Sequence, residues 1–301
     1  MNIILAGGTG LIGSTLVREL SNRGHSLVLL SRYGKESDNR QISVIKWDAE
    51  TDGPWVEKVA IADAVINLAG ESVGAGRWTK AQKKRIVQSR VNATNALVRA
   101  MEKASRKPRV LVNASAVGYY GHVKEGDVAE AASPGNDFLA ETTVAWETAA
   151  MKAEKVGVRV VLIRTGFVIA SHAPAFRKMI LPFKFFAGGP FGSGKQWFPW
   201  VHIEDVVGGY LFALDNDSIS GPVNLVSPNP VRVSELAREL GRSLHRPSFL
   251  PAPAAGLKIL LGEMSDLLLK GQRAVPDVLI KKGFTFRFQT LGQALKDVLS
   301  K

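Results

Sequence analysis

The amino-acid sequence predicts an α/β fold, a doubly wound parallel sheet of about seven strands with a smaller, mainly helical C-terminal part. Three observations predict it. Short apolar runs alternate with helical stretches as far as Val226. The first run passes through a glycine-rich turn directly into an amphipathic helix. Beyond Val226 the strand signal gives way to helical periodicity. Strands separated by helices pair in parallel, because each crossover brings the chain back to the same end of the sheet.

The predicted strands are Ile3–Ala6, Leu27–Leu30, Val44–Trp47, Ala64–Leu68, Val110–Ala114, Val158–Arg164 and Pro222–Val226. Each is a short aliphatic or β-branched run of the kind that fills a sheet covered on both faces. Helices are expected at Leu11–Asn22, Thr79–Ser105, Phe138–Lys155 and Ile203–Leu214. The first carries an apolar stripe of Leu11, Ile12, Leu16, Val17 and Leu20, and the second one of Val87, Val91, Val98 and Met101. After Val226, helices are expected at Ser234–Leu244, Ala254–Leu269 and Leu291–Leu299, the last capped by Thr290. Phe176–Phe198, rich in aromatics and glycine, reads as an insertion before the last strand. The expected division is 1–170, completed by 200–228, as the nucleotide-binding part, and 171–199 with 229–301 as the smaller substrate part.

Composition narrows the class. With 301 residues, 46% hydrophobic and 22% charged, the chain has the make-up of a globular protein with a sizeable core. No run of 18 apolar residues and no leader ahead of the first strand are seen, so cytoplasmic residence without a membrane partner is expected. There is no Cys, and the five histidines lack ligand spacing, so no metal site is expected. The net charge of +12 is concentrated: Arg77–Arg109 holds eleven Lys or Arg residues against one acid, Glu102. Trp78 is the only ring there. Without interleaved aromatics the stretch reads as a solvated face with one or two phosphate-facing arginines, and no nucleic-acid partner is assigned.

The strongest local signal is Gly7-Gly8-Thr9-Gly10-Leu11-Ile12-Gly13. Between a strand and a helix, such a turn cradles the pyrophosphate of a dinucleotide. Gly7 or Gly8 allows the tight turn, Gly10 the approach of backbone to phosphate, and Gly13 close packing of helix on strand. The N–H groups that open the helix, at Leu11 and Ile12, face the anion. At the end of the second strand an acid would accept from the ribose 2′-hydroxyl of NAD. Here Ser31-Arg32-Tyr33-Gly34-Lys35 stands there, with no carboxylate before Glu36. A hydroxyl and a guanidinium fork suit a 2′-phosphate, so the expected cofactor is NADP. Other strand ends add Asp48, a candidate acceptor for the adenine amino group, and the small run Leu68-Ala69-Gly70, past which the cofactor would run close to backbone.

Together these residues resemble the extended short-chain dehydrogenases/reductases, the branch of nucleotide-sugar epimerases and dehydratases. The resemblance rests on Gly7-x-x-Gly10-x-x-Gly13, Asn67-Leu68-Ala69-Gly70, Ser115–Gly121 ending in Tyr-Gly, and Trp200-Val201-His202-Ile203-Glu204-Asp205. A closer likeness, covering nearly the whole chain, is to the atypical group called epimerase family proteins, with its C-terminal domain of unknown function. It rests on Gly70-Glu71-Ser72, Arg77-Trp78-Thr79, Ser89-Arg90, Trp146-Glu147, Leu181-Pro182-Phe183 and Gly188-Gly189-Pro190, with Gly262-Glu263-Met264 to Gly271-Gln272. The resemblance implies a Rossmann-type sheet and NADP binding through Ser31, Arg32, Leu68 and Ala69. It also implicates Arg85, Arg90 and Arg164.

Dehydrogenases of that superfamily use a Tyr-x-x-x-Lys pair with a nearby hydroxyl. Counted from Glu147 and Gly121, those three positions fall on Leu139, Thr143 and Ala116. Ser115 and Tyr120 are the candidate replacements, with Tyr119 and Glu141 close in sequence. The implied activity is oxidoreductase or epimerase-like; the alternative is an NADP(H)-binding regulator without catalysis. For the substrate, Gly188–Gln196 reads as a flexible, donor-rich loop beside Trp197 and Trp200, suited to a phosphate plus a ring. The partner expected is thus a small molecule of nucleotide-sugar type.

Overall fold

The structure, a computed structural model, describes residues 1–34 and 37–300. Lys35 and Glu36, named above beyond Arg32, lie outside the described residues. Seven strands form the main sheet: β1 (Asn2–Ala6), β2 (Ser26–Ser31), β3 (Ile42–Lys46), β4 (Ala64–Asn67), β5 (Val110–Ala116), β6 (Arg159–Thr165) and β7 (Gly221–Leu225). Their order is β7-β6-β5-β4-β1-β2-β3 and every pairing is parallel. The winding reverses between β1 and β4, which opens a crevice beyond the carboxyl ends of those strands.

Eight helices of eight or more residues accompany the sheet: α1 (Leu11–Asn22), α2 (Lys80–Lys103), α3 (Phe138–Met151), α4 (Pro174–Lys184), α5 (Ile203–Asp215), α6 (Val233–Leu244), α7 (Ala254–Leu261) and α8 (Leu291–Leu299) among the described residues. The two-residue alternation of each strand divides its side chains between two cores. Ile3, Leu5, Ile66 and Val112 pack with Leu16 and Leu20 of α1 and Tyr210 of α5. Ile4, Val65, Leu111 and Leu162 pack on the opposite face with Ala93, Leu97 and Met101 of α2. Both faces being covered is why the strands read as continuous apolar runs. A third core joins α4, α6 and α8 through Phe176, Phe183, Leu236 and Leu295, and Leu11 and Ile12 of α1 pack against it.

Two expectations are corrected in the helical parts. The stretch Ala254–Leu269 is not one helix, because Gly262 takes a φ of 61° and ends α7; a 3₁₀ turn (Gly262–Ser265) and a short helix (Asp266–Leu269) follow. Only a residue without a Cβ adopts that left-handed conformation at low cost. The insertion 176–198 contains most of α4, which begins at Pro174 and whose Phe176, Met179, Ile180 and Phe183 form a buried stripe at helical spacing. The expected cap of α8 is present as a capping box: Thr290 Oγ1 accepts from Gln293 N, and Thr290 N donates to Gln293 Oε1 at 3.2 Å.

Candidate dinucleotide site

The turn after β1 is shaped by two of its glycines. Gly7 has a φ of +81°, and a Cβ on it would stand 2.7 Å from the carbonyl carbon of Leu68. The turn therefore passes directly against the backbone that follows β4. A Cβ on Gly13 would lie 2.8 Å from Cα of Gly8. That absence of a side chain lets α1 start tight against the turn, aiming its free N–H groups into the crevice. At Gly10, the N-cap, a Cβ would meet only the Gly7 oxygen at 3.5 Å, so the backbone is open there. No acidic side chain lies in the first turn of α1. The cradle fits a pyrophosphate. The side chains of Leu11 and Ile12 pack into the third core, leaving only their backbone to face an anion.

Around the reversal point the strand ends bring the other candidates together. Ser31 closes β2, its Oγ accepting from Tyr33 N at 3.3 Å. Arg32 is exposed, its guanidinium 5.8 Å from the Tyr33 ring centre. Asp48 is exposed and caps its own turn: Oδ1 accepts from Glu50 N and Thr51 N, and Oδ2 from the Thr51 hydroxyl at 2.6 Å. The Thr51 hydroxyl, with the two N–H groups, holds its carboxyl down to about 2. Arg90 of α2 lies over Gly70, where a Cβ would be 3.1 Å from its guanidinium carbon. Its Nη1 donates to Glu71 O at 2.8 Å, and its charge faces the Trp146 ring at 5.1 Å. Burial pulls the Arg90 group down to about 10. Arg85 is exposed and both Nε and Nη2 donate to Gln82 Oε1, one helical turn back.

At the carboxyl end of the sheet the α2–α3 face changes from apolar to polar within one two-residue step. Val65, Leu111 and Leu162 are followed on that face by Asn67, Asn113 with Ser115, and Arg164. Parallel register sets Ser115 beside Arg164, and Arg164 beside Asn224. Asn67 Nδ2 donates to Asn113 Oδ1 at 2.7 Å and to Thr94 Oγ1 at 2.9 Å. The Ser115 hydroxyl donates to Glu147 Oε1 at 2.5 Å. Arg164 grips the same carboxylate with Nε and Nη2, both at 2.8 Å. Its Nη1 donates to the Tyr120 hydroxyl at 2.9 Å and to Glu130 O at 3.0 Å. Tyr120 in turn donates to Asn224 Oδ1 at 2.7 Å. Arg164 is 3% exposed. Burial works against its charge, yet the paired Glu147 outweighs burial and keeps the guanidinium protonated above its ordinary value. Burial raises the Tyr120 hydroxyl instead.

The donors of Arg164 are thus directed at protein partners, and Ser115 and Tyr120 belong to one buried network with it. Glu147, Asn224 and Glu130 complete that network and went unassigned in the sequence. A signal existed for two of them: a carboxylate in an Ala-rich apolar helix, and an Asn inside a buried strand. Leu139 and Thr143 occupy the first turns of α3, against Gly118. The 188–196 loop is pinned rather than loose, with Ala252 N bonded to Pro190 O, Gly192 N to Ala252 O and Val233 N to Gln196 O at 2.9–3.0 Å. Trp200 is buried, and Trp197 is stacked by Arg232 at 4.3 Å and Arg273 at 5.2 Å. His202, Glu204 and Asp297 each bring one atom within 4.8 Å of the others. His202 there serves as the cap of α5, Nδ1 accepting from Glu204 N, with Nε2 3.2 Å from Asp297 Oδ2.

Comparison with known proteins gives the family and the fold. Residues 3–225 match the family described as NAD dependent epimerase/dehydratase, and residues 252–298 match a domain of unknown function, DUF1731. Epimerase family protein YfhF of Bacillus subtilis (strain 168) is 40% identical over 301 residues, all of this chain and 98% of that protein. The crystal structure of human epimerase family protein SDR39U1 (isoform 2) with NADPH is similar at a TM-score of 0.88 and 32% identity, covering 100% of both chains. A nucleoside-diphosphate sugar epimerase from Corynebacterium glutamicum is similar at 0.80 and 29% identity, over 99% of this chain and 58% of its own. No helix among the described residues is long and apolar enough to cross a membrane.

Proposed function

The chain belongs to the NAD dependent epimerase/dehydratase family, and from that membership we propose that it is an NADP-binding, atypical short-chain dehydrogenase/reductase acting on a small molecule of nucleotide-sugar type. One observation carries the cofactor reading. The crevice pairs an open, Cβ-free cradle at Gly7, Gly10 and Gly13 with an exposed arginine, Arg32, where an NAD enzyme would place an acid. The human relative, whose structure contains NADPH, supports it. Held there, NADP(H) would supply hydride transfer at its nicotinamide. The α1 N–H groups would bind the pyrophosphate, Ser31 and Arg32 would hold the 2′-phosphate, and Leu68, Ala69 and Gly70 would let the chain pass close to the cofactor. Arg90, across Gly70, keeps a positive charge near that path.

For the acid/base step we assign Ser115, whose hydroxyl donates to Glu147 Oε1 at 2.5 Å beside the Arg164 guanidinium. Tyr120 is the second candidate. Calorimetry of NADP and NAD binding tests the cofactor: Arg32→Ala is expected to weaken NADP about tenfold or more and leave NAD unchanged. Equal wild-type affinities for both would overturn it. NADPH consumption across nucleotide sugars and small carbonyls, slowed by Ser115→Ala, tests the activity. A second reading, an NADP(H)-dependent regulator without turnover, is favoured by the fact that both candidate hydroxyls donate to protein acceptors, Ser115 to Glu147 and Tyr120 to Asn224. It predicts that NADP and NADPH bind with unequal affinity and that no substrate in the panel is turned over.

A further inference from the structure

Away from the crevice, the end of α4 and the segment leading into α7 share one exposed face. Leu250 N donates to Gly188 O at 3.0 Å, and Ala252 N to Pro190 O at 2.9 Å, so residues 185–191 and 246–252 run side by side. The Arg246 guanidinium lies 4.5 Å from the Phe186 ring centre, tying the two edges together. From this face project Leu181, Phe185, Phe186, Phe249 and Leu250, with Phe185 72% and Phe249 74% exposed. Phe186 has a φ of 60°, a conformation that bulky side chains rarely adopt. The backbone is bent out of its ordinary range at the point where two adjacent phenylalanines face water. The following helix, α7, has no buried residue and exposes Ile259 and Leu260.

Charge selects the partner. No Asp or Glu occurs between Lys155 and Ile203, or between Leu240 and Gly262. The cations there include Arg177, Lys178, Lys184, Arg246 and Lys258. A protein interface typically has a polar rim of mixed sign, whereas an anionic leaflet offers one sign everywhere. Two segments that expose aromatics and aliphatics together with Lys and Arg, and that carry no acid of their own, match the boundary between headgroups and acyl chains. We propose that this face docks the protein peripherally on an anionic lipid surface, with the phenylalanines entering the headgroup boundary and the cations meeting lipid phosphates. Hydropathy along the chain reveals spans alone; a docking face exists only once two segments some 60 residues apart lie together.

The test is co-sedimentation of the full chain with vesicles of phosphatidylcholine containing about one-third phosphatidylglycerol, against phosphatidylcholine alone. Binding to the anionic vesicles only is expected. Phe185→Ser combined with Phe186→Asn, the latter tolerant of the backbone angle, should lower the partition coefficient at least tenfold, as should Lys184→Glu with Arg246→Glu. Lys84→Glu, on the basic helix α2, should leave it within twofold. Unchanged melting temperature and NADPH affinity show that each variant is folded. The proposal is overturned if the wild type stays with the supernatant. It is equally overturned if Lys84→Glu reduces binding as much as the phenylalanine variants do. Sedimentation equilibrium that shows those variants breaking a dimer, with no vesicle binding, would assign the face to a second copy instead.

Discussion

At the scale of single residues the glycines of the first turn show what a missing methyl accomplishes. Gly13 is where α1 meets the turn, and its neighbour Gly8 leaves no space for a Cβ. Gly13→Ala is expected to destabilise the fold by about 1–3 kcal/mol, the usual cost of forcing atoms into a packed contact. Because the same shift displaces the N–H groups of α1, dinucleotide binding should fall more than stability does. Urea unfolding and calorimetry on the one variant separate the two effects. Gly7 and Gly13 were readable from spacing alone, since their roles depend on neighbours within a few positions. Asp48 was not so readable: whether its carboxylate serves a ligand or its own turn depends on Thr51, which is bonded to it here.

Elements explain the buried network. Strands β5, β6 and β7 end in register, and α3 lies across them, so Glu147 reaches both Ser115 and Arg164. Arg164→Met leaves the Glu147 carboxylate buried and unpaired, and is expected to cost about 3–5 kcal/mol. Adding Glu147→Leu should recover part of that loss, which a double-mutant cycle in urea would measure. Glu130 supplies a pH test. Its Oε1 accepts from Asn224 N and Val278 N, Oε2 has no partner among the described residues, and burial raises the carboxyl above its ordinary range. A raised carboxyl favours the protonated group in the fold, so its stabilising share is full below about pH 4.5 and is lost as pH rises through the folded value. Glu130→Gln should therefore melt higher than wild type near pH 8, with the difference closing toward pH 4. A constant difference across that range would show that burial of the charge is not the cause.

Across the whole molecule the cores are not separable. Leu11 and Ile12, at the start of α1, pack against the core that α4, α6 and α8 build. The C-terminal segment also returns to the nucleotide-binding part: Arg273–Ala274 pairs in parallel with Asp127–Val128 in a separate two-stranded ladder, and Gln272 Nε2 donates to Val117 O at 2.5 Å. We expect the nucleotide-binding and C-terminal parts to unfold together. Leu295→Ala, at a fully buried site in α8, should cost about 2–5 kcal/mol and lower a single thermal transition. Two transitions in calorimetry, with only the lower one shifted, would mean that the parts fold independently.

Local spacing carried the strand–helix alternation, the glycine turn after β1 and the Thr290 cap, because each depends on periodicity or backbone angle within a few residues. The break at Gly262 and the helix at Pro174–Lys184 lay within reach of the same reasoning, but competing glycine and aromatic signals masked them. The partners of Ser115 and Tyr120 were beyond it: Glu147 is 32 positions away and Asn224 is 104. Only sheet order and register bring such residues within hydrogen-bonding distance. That is why folding alone decides which candidate side chains keep a free proton and which spend it on the protein's interior.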